Sequence, residues 1–268
     1  MSRPNSDGGA QRPGVRFPAA LDGLRPAFTT SVPRSVGVAP DGRAGVVVAR
    51  VQGVGLDSAA VRQAMVQRLA QQGVTQPAVL QALATVERHR FVDSALVAQA
   101  YEDTALPIGW GQTISKPSVV ARMLELLCAG QTLPLGRVLE IGTGCGYQAA
   151  LLARLAREVY SMERLRALHD KARDNLRPLR IPNLHLIFGD GTAGYATGAP
   201  YAGIIAAAGG DAIPQAWLDQ LAVGGRLVAP AEVRPGQQQL VVVQRTTTGW
   251  QREVLEGVRF VPLQSGVL

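Results

Sequence analysis

Two cysteines in 268 residues cannot build a disulfide framework, so this chain must be held by its core. Reduced thiols at Cys128 and Cys145 suit a cytoplasmic location. Histidine is as scarce. His89, His169 and His185 have no ligand-like spacing to either cysteine, and no metal is expected. No apolar run approaches the ~20 residues that a membrane-spanning helix needs, so a soluble chain without a membrane partner is expected. Acids are short only at one end. Residues 1–50 carry seven arginines against three aspartates, which supplies four of the net +7. The remainder is only mildly basic, so no nucleic-acid partner is required. Internal repeats are also lacking.

The first 56 residues are dominated by Pro, Gly, Arg, Ala and Val and show no helical period. They are expected to form a disordered extension, with Val46–Val51 as a stray strand at most. An arginine-rich, acid-poor start also fits a targeting peptide. It has no continuous apolar segment, which argues against a secretory signal. Residues 57–268 then form one domain, helical over 57–136 and sheet-forming over 137–268.

That sheet announces itself at Arg137-Val-Leu-Glu-Ile-Gly-Thr-Gly-Cys-Gly-Tyr147. A short apolar run reads as a buried parallel strand, three alternate glycines as a turn, and Gln148 to Ala156 as a helix. Such a loop offers bare backbone and a helix N-terminus at the carboxyl edge of a sheet, where open α/β folds bind ligands. A second strand, Glu158 to Glu163, ends in an acid 21 residues beyond Gly142. A carboxylate there can accept hydrogen bonds from both hydroxyls of a ribose. A third strand, from His185, ends at Gly189-Asp-Gly191, a sequence that also suits a simple turn. Glu140, Gly142, Thr143, Gly144, Gly146, Glu163, Asp190 and Gly191 are therefore the candidate cofactor residues. These three strand ends resemble those of S-adenosylmethionine-dependent methyltransferases. An NAD-binding site would prefer glycine where Tyr147 stands.

Upstream, Asp57 or Ser58 can cap a helix carrying Val61, Met65 and Leu69 inward, with Gly73 at its end. A second helix starts around Thr75 and Pro77, with Val79, Leu80, Leu83 and Val86 inward. Arg88-His-Arg90 reads as a solvated basic face, followed by the anchor Phe91-Val92 and a further helical run through Ala100. Asp103 to Ser118 holds two glycines and two prolines, and reads as an ordered loop rather than an element. Pro117 then starts a helix through Leu127. By position alone Ser115 is a helix cap. Downstream, Tyr201–Ala208 reads as strand four, Pro214–Leu221 as a helix and Gly224–Pro230 as strand five. Gln238 to Thr246 and Trp250 to Val261 form a terminal hairpin around Thr248-Gly249.

Taken together, Leu106-Pro-Ile-Gly-Trp-Gly-Gln-Thr-Ile-Ser115, the glycine loop, Gly189-Asp-Gly191, Gly224-Gly-Arg-Leu-Val228 and Phe260-Val-Pro-Leu263 occur in an informative order. Over roughly 58–264 the chain closely resembles the bacterial protein-L-isoaspartate O-methyltransferases. The resemblance implies a doubly wound, mostly parallel Rossmann-like sheet of the class I methyltransferase type, with N-terminal helices and a C-terminal β-hairpin. It implies S-adenosylmethionine as cofactor, S-adenosylhomocysteine as product, and isoaspartyl peptides and proteins as partners; a monomer is expected, although the sequence does not fix the oligomeric state. Ser115 becomes the expected catalytic residue, and Gln112, Thr113 and Ile114 the expected substrate loop. The implied reaction is methyl esterification of the free isoaspartyl carboxylate, which starts repair through a succinimide.

Several positions depart from the family. Ala202-Gly203 stands where an Asp is usual, at a position expected to order the sheet edge near the site. Trp110, Ser118 and Gln264 replace a frequent His, aromatic and Thr. Two other readings stay open. A methyltransferase acting on a small molecule or RNA is one, although Ile205-Ala-Ala-Ala-Gly-Gly210 lacks the Asn/Asp-Pro-Pro-aromatic motif of amine methylation. A non-catalytic cofactor-binding module is the other.

Overall fold

A computed structural model describes residues 59–268. The expected extension over 1–56, the Val46–Val51 strand and the Asp57 or Ser58 cap lie outside the described residues. Helices α1 (Ala59–Gln71), α2 (Pro77–Thr85) and α3 (Pro117–Cys128) precede the sheet. Helix α3 buries Val120, Ala121, Met123, Leu124, Leu127 and Cys128, the spacing of a helix with one apolar face. Helix α2 does not cap itself. Glu125 of α3 does so, its Oε1 accepting the Thr75 and Gln76 amides at 2.6 and 3.1 Å.

The main sheet has seven strands in the order β5-β4-β3-β6-β7-β8-β9. Its members are β3 (Leu135–Ile141), β4 (Ala156–Glu163), β5 (Leu184–Phe188), β6 (Tyr201–Ala206), β7 (Leu221–Arg234), β8 (Gln237–Arg245) and β9 (Trp250–Gly257). The first five pair in parallel, β7 and β8 pair antiparallel, and β8 and β9 make the terminal hairpin. Chain order reverses between β3 and β6, so helix connections leave to opposite faces and open a crevice at their carboxyl ends.

The two-residue alternation of each strand divides the core. Val138, Ile205, Val228, Leu240 and Val242 face the layer that includes α1 to α3, α4 (Tyr147–Leu155) and α5 (Arg166–Leu176). Leu139, Ile141, Ile204, Leu227, Val241 and Val243 face the other way, onto Trp217 of α6 (Gln215–Gln220).

Three expectations need correcting. Residues 103–118 are not all loop: β1 (Leu106–Gly109) and β2 (Gln112–Ile114) make an antiparallel hairpin. Trp110 and Gly111 turn it with φ of 51° and 70°, the two positive angles that a tight hairpin turn requires. Arg88 is not solvated. Arg88–Phe91 is a 3₁₀ turn, where residues three apart eclipse, so Arg88 is buried together with Phe91. Ala202 is not near the cofactor edge either. It lies near the opposite, amino-terminal end of β6, beside Gly136, and a Cβ on Gly136 would stand 3.2 Å from the Ala202 Cβ.

Candidate active site

The glycine loop leaves β3 and enters α4 with Gly142, Gly144 and Gly146 all at positive φ (89°, 56° and 92°). Only glycine takes these angles without steric cost. Their duties differ. Gly142 and Gly144 line a cleft at the carboxyl ends of the strands. Gly146 does not reach it; a Cβ there would stand 2.8 Å from Leu176 of α5, so this glycine serves helix packing.

Glu163 closes β4 at the rim of the same cleft. Its Oε2 accepts the Gly144 amide at 2.9 Å and its Oε1 the Leu165 amide at 3.0 Å. Each carboxylate oxygen retains acceptor capacity. Leu165 and Leu168, with Met162 and Ile141, add apolar wall. Gly191 lines the floor, and a Cβ there would meet Ile141 Cγ2 at 2.6 Å.

Other expected cofactor residues stand behind the cleft. Glu140 shares the Val138 face of β3 and is fully buried toward α4. Its Oε2 accepts a very short hydrogen bond from the Ser161 hydroxyl, which lies 2.6 Å from Thr143 Oγ1. Burial pushes the Glu140 carboxyl up to about 8, against hydrogen bonding from Ser161 and Gln148 and with the Glu163 charge adding to the rise. Glu140 and Thr143 thus brace the loop from beneath.

Asp190 adjoins the lining residue Gly191. Its Oδ1 accepts the Thr192 amide and hydroxyl at 2.8 and 2.7 Å, and Oδ2 accepts the Gly266 amide at 2.6 Å. Partial burial opposes ionisation, yet the bonds from Gly266 and Thr192 hold this carboxyl below its usual value. Cys145, in the glycine loop, has its thiol raised to about 11 by burial, so it is a packing residue and not a nucleophile.

The hairpin forms the opposite wall. Gln112, Thr113 and Ile108 line the cleft, whereas Ile114 points into the core. Ser115 lines a second, adjoining groove with Lys116, Val119, Gln238, Arg259 and Phe260. Thr113, Ala207 and Val261 belong to both, so the two spaces meet there.

Several lining residues had no local signal in the sequence as cofactor-site residues. Val261 to Gln264 reach the cleft because the Gly209 amide donates to Val261 O (2.9 Å) and the Leu263 amide to Gly209 O (2.8 Å). A Cβ on Gly209 would stand 2.6 Å from Gln238 Nε2, so a larger residue here would displace the end of that side chain. Arg164 holds the tail beside them, donating to Gly266 O and Gln264 Oε1 at 2.9 and 3.0 Å. Among the described residues no group of three His, Cys, Asp or Glu side chains is placed to hold a metal, and no helix is long and apolar enough to cross a membrane.

A reversed parallel sheet, bare backbone at the β3 edge and an acid ending β4 define a class I methyltransferase. Residues 60–268 match the model of the protein-L-isoaspartate (D-aspartate) O-methyltransferase family. The chain belongs to that family. A protein-L-isoaspartate O-methyltransferase of Methylibium petroleiphilum is 55% identical, over 96% of this chain and 98% of its own. One from Leptothrix cholodnii is 63% identical over 80% and 77% of the two chains. Among solved structures, a protein-L-isoaspartate O-methyltransferase superposes with TM-score 0.69 at 27% identity, over 77% of this chain and 67% of that one. A Plasmodium falciparum protein described as a putative member, in complex with S-adenosyl-L-homocysteine, gives 0.66 at 23% identity over 76% and 98%, a likeness of fold.

Proposed function

We propose that this chain transfers a methyl group from S-adenosylmethionine to the free carboxylate of L-isoaspartyl residues in damaged proteins and peptides. What supports the reading most is the meeting of the cofactor cleft and the Ser115 groove at Thr113, Ala207 and Val261. A donor in one and an acceptor in the other would touch only there. The cleft fits a nucleoside cofactor. Gly142 and Gly144 give bare backbone, Glu163 offers acceptors for ribose hydroxyls, and the wall of Met162, Leu165 and Leu168 suits a flat apolar base. The cofactor supplies an electrophilic methyl carbon on a sulfonium.

The chain's own residues have little proton chemistry to do. An aspartyl-type carboxyl ionises near pH 4, about three units below neutrality, so the acceptor needs no general base. Their work is alignment and exclusion of water. In this reading the Ser115 hydroxyl orients the acceptor carboxylate, and Gln112 and Thr113 close the hairpin wall over it. The methyl ester then loses methanol to give a succinimide, whose hydrolysis partly restores aspartate.

Residues 57–268 carry this activity as a monomer in the cytoplasm, and residues 1–56 are a dispensable extension. Removing 1–50 should leave the melting temperature and methyl transfer unchanged. The deciding assay compares methyl transfer to an isoaspartyl peptide with transfer to its aspartyl twin. Esterification of the isoaspartyl peptide alone is expected. Equal rates on both, or none on either, would overturn the assignment.

A further inference from the structure

Arg88 is the only lysine or arginine that is buried among the described residues, and it makes no ion pair. Desolvation pulls its pKa below the ordinary value. A buried cation of this kind is costly, and a leucine or methionine would fill the same space more cheaply. What the guanidinium gains is directed hydrogen bonding. Nε donates to Ala100 O at 2.8 Å, and Nη2 donates to Ser115 O at 2.7 Å and Thr104 O at 3.5 Å. The same planar group lies over the Tyr147 ring, 5.0 Å from its centroid. Tyr147 is the first residue of α4, directly after the glycine loop.

One side chain therefore ties the residue that ends the substrate hairpin to the helix that opens from the cofactor loop. We propose that Arg88 is a positioning residue for methyl transfer, fixing the Ser115 backbone relative to the cofactor helix so that its hydroxyl meets the acceptor carboxylate. This rests on the reading of Ser115 given above. Arg88 touches neither reactant. It acts through Ser115, and a fork of donors is needed because the two short bonds leave from different nitrogens.

The test is a cycle of Arg88→Lys and Ser115→Ala, with rates expressed per S-adenosylhomocysteine-binding site, so that misfolded protein is not counted. Arg88→Lys keeps a cation but presents a single nitrogen. It should lower kcat about tenfold to a hundredfold, the scale of an ångström-sized misplacement, while S-adenosylhomocysteine affinity stays within about threefold. In the Ser115→Ala background the same change should alter kcat by less than about twofold, since coupled residues are not additive. Arg88→Met, which removes every donor, should behave as Arg88→Lys does or worse. Wild-type kcat in Arg88→Lys, equal falls in both backgrounds, or cofactor affinity lost in step with kcat would each overturn the proposal. If Ser115→Ala alone turns over at the wild-type rate, the role of Ser115 fails and this inference with it. A slow Ser115→Ala enzyme with additive effects overturns this inference alone and leaves the role of Ser115 standing.

Discussion

Asp103 caps the helix that follows Ser115: its Oδ1 accepts the Ser118 amide at 2.9 Å and its Oδ2 the Ser118 hydroxyl at 2.8 Å. The residue at the N-cap, Lys116, makes no capping bond with its side chain. The helix end is therefore satisfied from fifteen residues upstream. Asp103→Ala should cost about 0.5–2 kcal/mol, the ordinary value of a cap. Denaturant melts check this, and a loss well below that range would show that solvent caps the end equally well.

Relieved of that duty, the Ser115 hydroxyl has no hydrogen-bond partner among the described residues. Ser115→Ala should then lower methyl transfer while barely changing stability. Ser115→Asp should be worse, because a second anion beside it would repel the acceptor carboxylate. Cofactor affinity should change less than turnover in both. An Asp variant working at the wild-type rate on isoaspartyl peptide is the result that this role could not survive.

Glu163 holds the glycine loop and faces the cleft at once. Replacing it by alanine should weaken cofactor binding by about 1.5–3 kcal/mol, the range for hydrogen bonds to a charged group. Release of the Gly144 and Leu165 amides would add to that loss. Calorimetric titration with S-adenosylhomocysteine measures it. Undiminished affinity in a folded variant would remove Glu163 from the ribose site.

Glu140 makes stability depend on pH. Its carboxyl is raised to about 8 in the fold, against about 4.3 when unfolded. The folded state thus holds a proton that the unfolded state releases. The contribution is complete below the unfolded value and is lost as pH climbs through about 8. Between pH 5 and 8 the free protein should lose an amount on the order of a few kcal/mol from this group. Glu140→Gln, which mimics the protonated acid, should flatten that slope. Parallel stability curves for the two proteins across this window would contradict the buried, protonated state.

Much of the architecture was legible because it is local. The apolar run of β3, the alternate glycines and the acid ending β4 are each set by neighbours in sequence, and the structure places all three at one edge. The same reading missed α5, although Leu168, Ala172 and Leu176 recur four residues apart, because charged residues dilute that stripe. It could not tell that Glu140, Thr143, Gly146 and Asp190 stand apart from the residues lining the cleft, since proximity to a motif says nothing about which face a side chain takes.

What the sequence by itself determined is therefore the order of strands and turns and the residue types at the β3 and β4 edges, because backbone angles and alternation are short-range constraints. Only the tertiary structure decided which of those residues reach the cleft. Strand β3 packs Val138 and Glu140 against the helical layer that includes α4, so the carboxylate is sealed behind the loop it was expected to join. Asp103 takes the cap that position alone gives to Ser115, and Arg88, in a stretch that reads as solvated, is drawn into the core to meet Ser115. These pairings span 15 and 27 residues. No local pattern specifies them, because each partner is brought into reach only when the N-terminal helices close over the sheet.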